Sequence, residues 1–129
     1  MGSGKQHCPR RMRTTPKRYA AKLLFQFRVE SEGKRRLCEE RIILVPARSG
    51  KAALTKAKRH AKASEFSYKN SDARRVHFEF IGVMDLLHLG PECEPGEVWY
   101  DIVEYVQPME RRKKLLPPES KLNAIRWRE

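Results

Sequence analysis

One histidine and two carboxylates in the middle of the chain have a spacing that suits proton transfer. His77 and Glu79 are two residues apart, so in a β-strand both side chains lie on one face of the sheet. Asp85 joins them if Gly82, a residue typical of strand irregularities, does not change the register. A histidine beside carboxylates can act in general acid–base catalysis. The same pattern is more common on an exposed polar strand, which is the favoured interpretation, so no catalytic residue is predicted.

The three cysteines, Cys8, Cys38 and Cys93, are an odd number and are widely separated. They lack the dense, even-numbered pattern of a disulfide-stabilised secreted domain, which favours a reducing cytoplasm. His7 directly precedes Cys8, but no second pair stands at the spacing of a zinc site. His88 and Cys93 have no third residue that would complete a thiol catalytic site. Reduced thiols, no bound metal and no cofactor are therefore expected.

Phosphate binding by a loop and membrane insertion find equally little support. Gly50 and Lys51 resemble the end of a phosphate-binding loop, yet Val45 and Ala52 occupy positions that need glycine and a hydroxyl side chain. The basic N-terminus is not followed by the apolar run of a signal peptide. No stretch approaches the ~18 apolar residues of a membrane span. The chain is predicted to be a cytoplasmic protein that is not an enzyme.

Basic residues are concentrated at the two ends of the 129-residue chain. Residues 1–18 contain six lysines and arginines and no acidic residue. Residues 111–129 contain seven basic residues against two acidic ones, whereas residues 19–110 contain fifteen against fourteen. The net charge of +12 therefore comes almost entirely from the terminal segments. Clustered positive charge of this kind favours a polyanionic or acidic partner.

Alternating hydrophobicity predicts four β-strands, and helical periodicity predicts one helix between the second and the third. The strands are expected at 19–30, 36–46, 74–89 and 97–106. Consecutive antiparallel pairing is the simplest arrangement, so the expected fold is α+β, a four-stranded antiparallel sheet with one helix in the order β-β-α-β-β. The chain then divides into a basic flexible segment (1–18), a single α+β domain (19–106) and a basic C-terminal tail with a short helix (107–129).

The helix is expected over 50–66, with Ser49 as its N-cap and with alanines along the side that faces the sheet. Gly82 predicts a bulge in the third strand. The predicted core consists of apolar side chains from the helix and from the first, third and fourth predicted strands. They are Leu23, Phe25, Leu54, Ala57, Phe78, Phe80, Val98, Tyr100 and Ile102.

One helix covers only one face of a four-stranded sheet. The opposite face is predicted to be partly apolar, because it would carry residues such as Leu24, Ile42, Leu44, Ile81 and Val103. Exposed apolar surface of this extent is typical of an interaction site. A terminal tail or a second copy of the chain is therefore expected to cover it, the latter as a homodimer through the open sheet face.

Five short segments resemble a bacterial family of domains of unknown function, number four-two-eight-eight. They are AKLLF at 21–25, ERI at 40–42, ALTKA at 53–57, EFSYKN at 65–70 and FIGVMDL at 80–86. The string from Ser67 to Asn70 and the Gly-Val-x-Asp segment are the most specific. The resemblance covers about 19–106 and leaves out both tails. It implies a small bacterial cytoplasmic protein and supplies no activity, so no functional residue follows from it.

Two binding functions are compatible with these features. The first is weakly sequence-selective association with nucleic acid, because lysines and arginines on flexible tails gain affinity by releasing counterions from phosphates. Trp127 could add stacking on bases. The predicted nucleic-acid contacts are Arg10, Arg11, Arg13, Lys17, Arg18, Arg111, Arg112, Lys113, Lys114, Arg126, Trp127 and Arg128. The alternative is a protein-interaction module, an antagonist or adaptor, that binds an acidic partner protein.

Overall fold

Four strands and one long helix make up the folded body of the computed structural model, which describes residues 17–30 and 33–126. These elements are β1 (Lys17–Val29), β2 (Leu37–Ala47), α1 (Gly50–Ala63), β3 (Phe66–Lys69) and β4 (Arg75–Leu89). After them come α2 (Arg112–Leu115), a 3-10 turn (Glu119–Lys121) and α3 (Asn123–Arg126). The strands form one antiparallel sheet in the order β2-β1-β4-β3. The predicted fold class and element order are thus confirmed.

Strand β1 is the centre of the sheet because its long alternating pattern pairs with β2 on one side and β4 on the other. Its apolar positions, including Ala21, Leu23 and Phe25, are fully buried on the face that α1 covers. Phe25 stacks on Phe78 of β4 with ring centroids 4.6 Å apart. Arg41 of β2 closes the edge of this cluster, its guanidinium carbon lying 4.6 Å from the Phe25 ring centroid.

The predicted bulge near Gly82 is confirmed, and it is double. The pairing of β1 with β4 shifts register twice, leaving Met84 and Ile81 as extra residues on either side of Gly82. Each extra residue reverses the alternation of side chains, so two of them restore it. Asp85 therefore lies on the same sheet face as Glu79.

Helix α1 follows the expected pattern at its N-terminus and along its buried side. The Ser49 Oγ accepts a hydrogen bond from the Ala52 N–H at 3.1 Å, which satisfies an otherwise unpaired donor of the first turn. Ala53, Ala57 and Ala61 are 0% exposed, so small side chains let the helix lie close to the sheet. The helix ends at Ala63, three residues earlier than predicted, because Phe66 begins β3.

Strand β3 takes the place that the sequence pattern had given to residues 97–106 as a member of the sheet. It is a four-residue segment that the pattern did not reveal. Asn70 closes the β3–β4 hairpin, its side-chain oxygen accepting the N–H groups of Asp72 and Arg74 at 2.9 and 3.0 Å. Phe66 packs on Phe78 across the two strands, with centroids 5.0 Å apart. Four residues are too few to show a hydrophobic period, so the sequence predicts the end of the helix and a turn here instead of a strand.

The strand predicted at 97–106 is wrong, because this segment pairs with no strand among the described residues. The Arg18 side chain holds the loop that follows β4. Its guanidinium donates to the carbonyl oxygens of Glu94 (3.5 Å), Pro95 (3.1 Å) and Glu97 (2.8 Å). Further along, the Lys22 Nζ lies 5.4 Å from the centroid of a Trp99 ring. Arg18 and Lys22 belong to the face opposite α1, here called the open face, so the segment runs onto that face.

This path also corrects the predicted core. Leu23, Phe25, Ala57 and Phe78 are buried as expected, and Leu54 and Phe80 are half-buried. The three residues taken from 97–106 are exposed, by 47% for Val98, 37% for Tyr100 and 89% for Ile102. The open face gains cover at one end only, where Ala20 and Leu89 are buried.

We expect Ala57→Leu to lower the free energy of unfolding by about 1–3 kcal/mol, because a larger side chain cannot fit between α1 and the sheet. Lys58→Leu is the matched control, since it places the same side chain on the exposed side of the same helix and should change the value by about 0.5 kcal/mol or less. Urea denaturation followed by circular dichroism measures both. Equal stability of the two variants would contradict the described packing.

Candidate nucleic-acid interface

The predicted N-terminal contacts are only partly within the described residues. Arg10, Arg11 and Arg13 lie outside them. Lys17 is exposed at the first position of β1. Arg18 spends its guanidinium N–H groups on three backbone carbonyls of the loop after β4, so it holds that loop to the sheet. Lys17 therefore remains the better candidate of the two for contact with a nucleic acid.

The C-terminal basic run is brought together as one exposed patch. Arg111, Arg112, Lys113 and Lys114 are all exposed and lie at the start of the single turn of α2. The Arg111 Nη1 donates to the Val106 carbonyl at 3.4 Å, and the Arg112 Nη1 donates to the Met109 carbonyl at 2.8 Å. Each guanidinium has five N–H donors, so these bonds fix the side chain and leave donors for an anion.

A shallow groove of about 380 Å³ adjoins this patch. It is lined by Arg112, Lys113, Leu116, Pro117, Pro118 and Glu119. Such a groove suits a nucleotide, because its apolar walls can contact the base while the neighbouring cations meet the phosphate. Arg126, the last predicted contact that the structure describes, lies in α3 and is exposed, whereas Trp127 and Arg128 fall outside the described residues.

A second basic surface lies on the exposed side of α1. Residues 50–63 contain five lysines and arginines and no acidic residue. Lys56 and Lys62 are engaged locally, with the Pro46 carbonyl at 2.7 Å and the Glu65 carboxylate at 3.3 Å. The exposed side also carries Lys51, Lys58 and Arg59. The complete absence of acidic residues over these fourteen positions is the signal that marks this face.

The acidic residues that balance α1 are gathered elsewhere. Residues 91–110 contain six acidic residues and no basic one, and their first part runs onto the open face, on the other side of the sheet from α1. The near-neutral body thus combines a basic helix with an acidic segment that follows β4. An average over residues 19–110 hides this separation.

Two of the residues singled out for proton transfer, Glu79 and His77, bond to charged side chains. The Glu79 carboxylate accepts from Arg28 at 2.8 and 3.0 Å and from Gln26 at 2.9 Å. These hydrogen bonds, with that of Arg28 the largest cause, lower the pKa of Glu79 to about 2. The His77 Nε2 lies 3.0 Å from a Glu30 carboxylate oxygen, and this bond lowers the pKa of Glu30. A carboxylate stabilised in its ionised form is a poor proton donor near neutral pH.

Asp85 lies on the same face but bonds locally, accepting from the Leu86 N–H at 2.8 Å. Cys38 is exposed, Cys93 is half-buried, and both are free thiols, whereas His7 and Cys8 lie outside the described residues. Within 17–30 and 33–126, no three His, Cys, Asp or Glu side chains group in a way that could hold a metal ion. No helix in this part of the chain is both long and apolar enough to cross a membrane.

Comparison with known proteins gives one match. A family model described as Domain of unknown function (DUF4288) matches residues 18–98, which is more than half of the chain. The matched range contains α1 and the sheet from Arg18 onward, and it ends before the basic run at 111–114. No curated protein and no solved structure matches the chain.

We expect Glu79→Gln to remove an acid-dependent part of the stability. Because the pKa of Glu79 is lowered from 4.5 to about 2 on folding, its ionised form stabilises the protein above about pH 4.5, and this contribution is lost as the pH falls towards 2. The difference in unfolding free energy between wild type and variant should therefore shrink between pH 4.5 and pH 2. Urea denaturation at several pH values measures it.

The control is the same substitution in an Arg28→Met background. Without the guanidinium, the first cause of the lowered pKa is gone, so the difference should depend much less on pH over this window. A pH dependence that is unchanged by Arg28→Met would show that this ion pair is not its source.

Proposed function

Because the chain belongs to the DUF4288 family, whose description assigns no activity, we propose a function from its own surface: a small non-enzymatic module that associates with nucleic acid through its basic terminal segments. The run Arg111–Lys114 carries this proposal, since it presents four consecutive exposed cations. A bacterial, cytoplasmic setting is part of the same proposal. It rests on the family resemblance and on the small, odd number of cysteines.

Three cations of the folded body already have carboxylate partners, unlike those of the run. Arg28, Arg41 and Lys62 lie 2.8, 2.6 and 3.3 Å from carboxylate oxygens of Glu79, Glu39 and Glu65. A cation already neutralised by a neighbour gains less from a phosphate, and fewer counterions are released when it binds. In the run, the described hydrogen bonds of the arginines go to neutral carbonyls, so the positive charge is retained for a partner.

The expected selectivity follows from the same geometry. A single helical turn on an extended chain offers cations to the phosphate backbone, and backbone contacts fix position without reading the sequence of bases. The groove has leucine and proline walls, which favour apolar contact with a base over hydrogen-bond readout of its identity. Binding should therefore depend strongly on salt and weakly on sequence.

The second candidate function, binding of an acidic partner protein, is favoured by the α1 face. Lys51, Lys58 and Arg59 are held by a helix that packs rigidly on the sheet, so their spacing is fixed. Fixed spacing suits a folded surface with complementary carboxylates. The two candidates therefore use different cations, which makes them separable by substitution.

We expect the triple substitution of Arg112, Lys113 and Lys114 to glutamine to weaken binding of a mixed-sequence DNA duplex. If all three engage phosphates, the log–log salt dependence should become shallower by about 3, at roughly 0.9 for each lost phosphate contact. Fluorescence anisotropy of labelled duplex at several salt concentrations, using the full chain, measures affinity and slope together.

The matched control replaces Lys51, Lys58 and Arg59 by glutamine, which removes the same number and types of cation from α1. It should change affinity and slope much less. An equal or larger loss in this control would move nucleic-acid binding to α1. If neither wild type nor variant binds duplex or single strands, the acidic-protein function is favoured instead.

A further inference from the structure

Residues 97–106 form an apolar extended segment that the described chain leaves mostly uncovered. It is rich in the β-branched and aromatic residues that are common in β-strands, yet it belongs to no ladder among the described residues. From Ile102 onward its apolar side chains are highly exposed, by 89% for Ile102, 61% for Val103, 60% for Tyr105 and 69% for Val106. Exposed apolar residues in a contiguous run of this kind usually mark an interaction site.

The sheet offers an edge that matches this segment. In the order β2-β1-β4-β3, strand β2 has a neighbour on one side only, so along its eleven residues the outer backbone groups face no strand within the described chain. Its apolar side chains are also exposed, by 79% for Leu37, 41% for Ile42 and 52% for Leu44. Strand β2 pairs with β1 without a register shift, and its one proline, Pro46, stands next to last. A long, regular edge strand of this kind is a template for an added strand.

The segment and β2 match in length, and their charges are complementary at the flanks of β2. The segment has ten residues, with Glu97, Asp101 and Glu104 as its charged groups and no basic residue. Strand β2 itself contains two acidic residues and one basic residue, and four basic residues flank it: Lys34, Arg35, Arg36 and Arg48. Pairing would satisfy backbone groups on both sides and would cover apolar side chains on both.

We propose that residues 97–106 of one copy of this protein add as a strand to the β2 edge of a second copy, and that the exchange is reciprocal. The segment is tethered to the open face of its own sheet by Arg18 and meets Lys22 of the central strand, rather than β2, through Trp99. The exposed residues that follow are therefore presented to another molecule. Reciprocal exchange gives a closed two-fold dimer, because each copy supplies one segment and one edge.

The other open edge, along β4 beyond Phe78, is less suitable. β3 covers β4 only from Arg75 to Phe78. Past that point the Phe80 N–H is already bound to the Glu65 carboxylate at 2.9 Å. The two bulges at Ile81 and Met84 then interrupt the regular spacing of backbone groups. Bulges of this kind protect an edge from strand addition.

The test is the oligomeric state of the full chain, measured without nucleic acid by sedimentation equilibrium. Wild type should have twice the mass of one chain. Two double substitutions should each raise the dimer dissociation constant about a hundredfold or more, one in the segment (Ile102→Asp with Val103→Asp) and one on the edge (Ile42→Asp with Leu44→Asp). The matched control, Ile81→Asp with Met84→Asp on the β4 edge, should leave the dimer intact.

All six substituted side chains are exposed in the wild-type protein. Circular dichroism and urea denaturation check directly that each variant keeps its fold. Mixing the segment variant with the edge variant provides a second, positive test. The first still has an intact edge and the second an intact segment, so the mixture should form a heterodimer, weaker than the wild-type dimer, that native mass spectrometry resolves.

Three results would overturn the proposal: a monomeric wild type, a dimer that survives both the segment and the edge substitutions, or loss of the dimer in the β4 control. A mixture that stays monomeric at every concentration would overturn it as well. Because no nucleic acid is present, none of these outcomes depends on the proposed nucleic-acid function.

Discussion

The contact between the alanines of α1 and the central strand β1 is the constraint on which the rest of the structure depends. Ala53, Ala57 and Ala61 are fully buried, and the core cluster that contains them includes Leu23 and Phe25 of β1. Since one face of β1 is committed to the helix, its alternate residues must face the other way. Those residues then determine what the open face can hold, from the ion pairs at one end to the bound loop at the other.

On the open face, the two ends of β1 make different contacts: one end holds the loop after β4, and the other belongs to a polar network. Arg18 and Lys22 meet the segment that follows β4, whereas Gln26 and Arg28 meet Glu79. The pairing register sets this order, because each β1 residue lies opposite a fixed position of β4. The two bulges keep the alternation in phase over the whole length. Without that cancellation, the apolar residues at one end of β4 would turn away from the helix.

The parts of the fold that could be predicted are those with a strong local signal. The alternation in β1, the Ser49 cap and the alanine stripe each act within a few residues, and all three are found in the structure. The strand at 97–106 was also predicted from a local apolar pattern, but such a pattern does not say which edge a strand will join. The contact that decided its path runs from the Arg18 side chain to backbone carbonyls about eighty residues away, and backbone carbonyls leave no mark in a sequence.

The candidate site shows the same division between local and distant information. A count of charges located the basic run at 111–114, and its residues do lie together on the surface. The count over 19–110 did not reveal that α1 is basic and 91–110 acidic, because opposite charges far apart in space cancel in a sum. Arg18 was grouped with the terminal cations by sequence position, whereas its hydrogen bonds make it part of the fold.

The two proposals meet at the residues between the apolar segment and the basic run. The Arg111 guanidinium bonds to the Val106 carbonyl, so whatever fixes the end of 97–106 also fixes the start of the run. Strand β2 has Arg35 and Arg36 before its first residue and Arg48 after its last. A strand added to this edge in either direction would therefore bring its basic run near cations of the other copy. Phosphate binding would then be shared between two chains, and it would follow the monomer–dimer equilibrium as mass action requires.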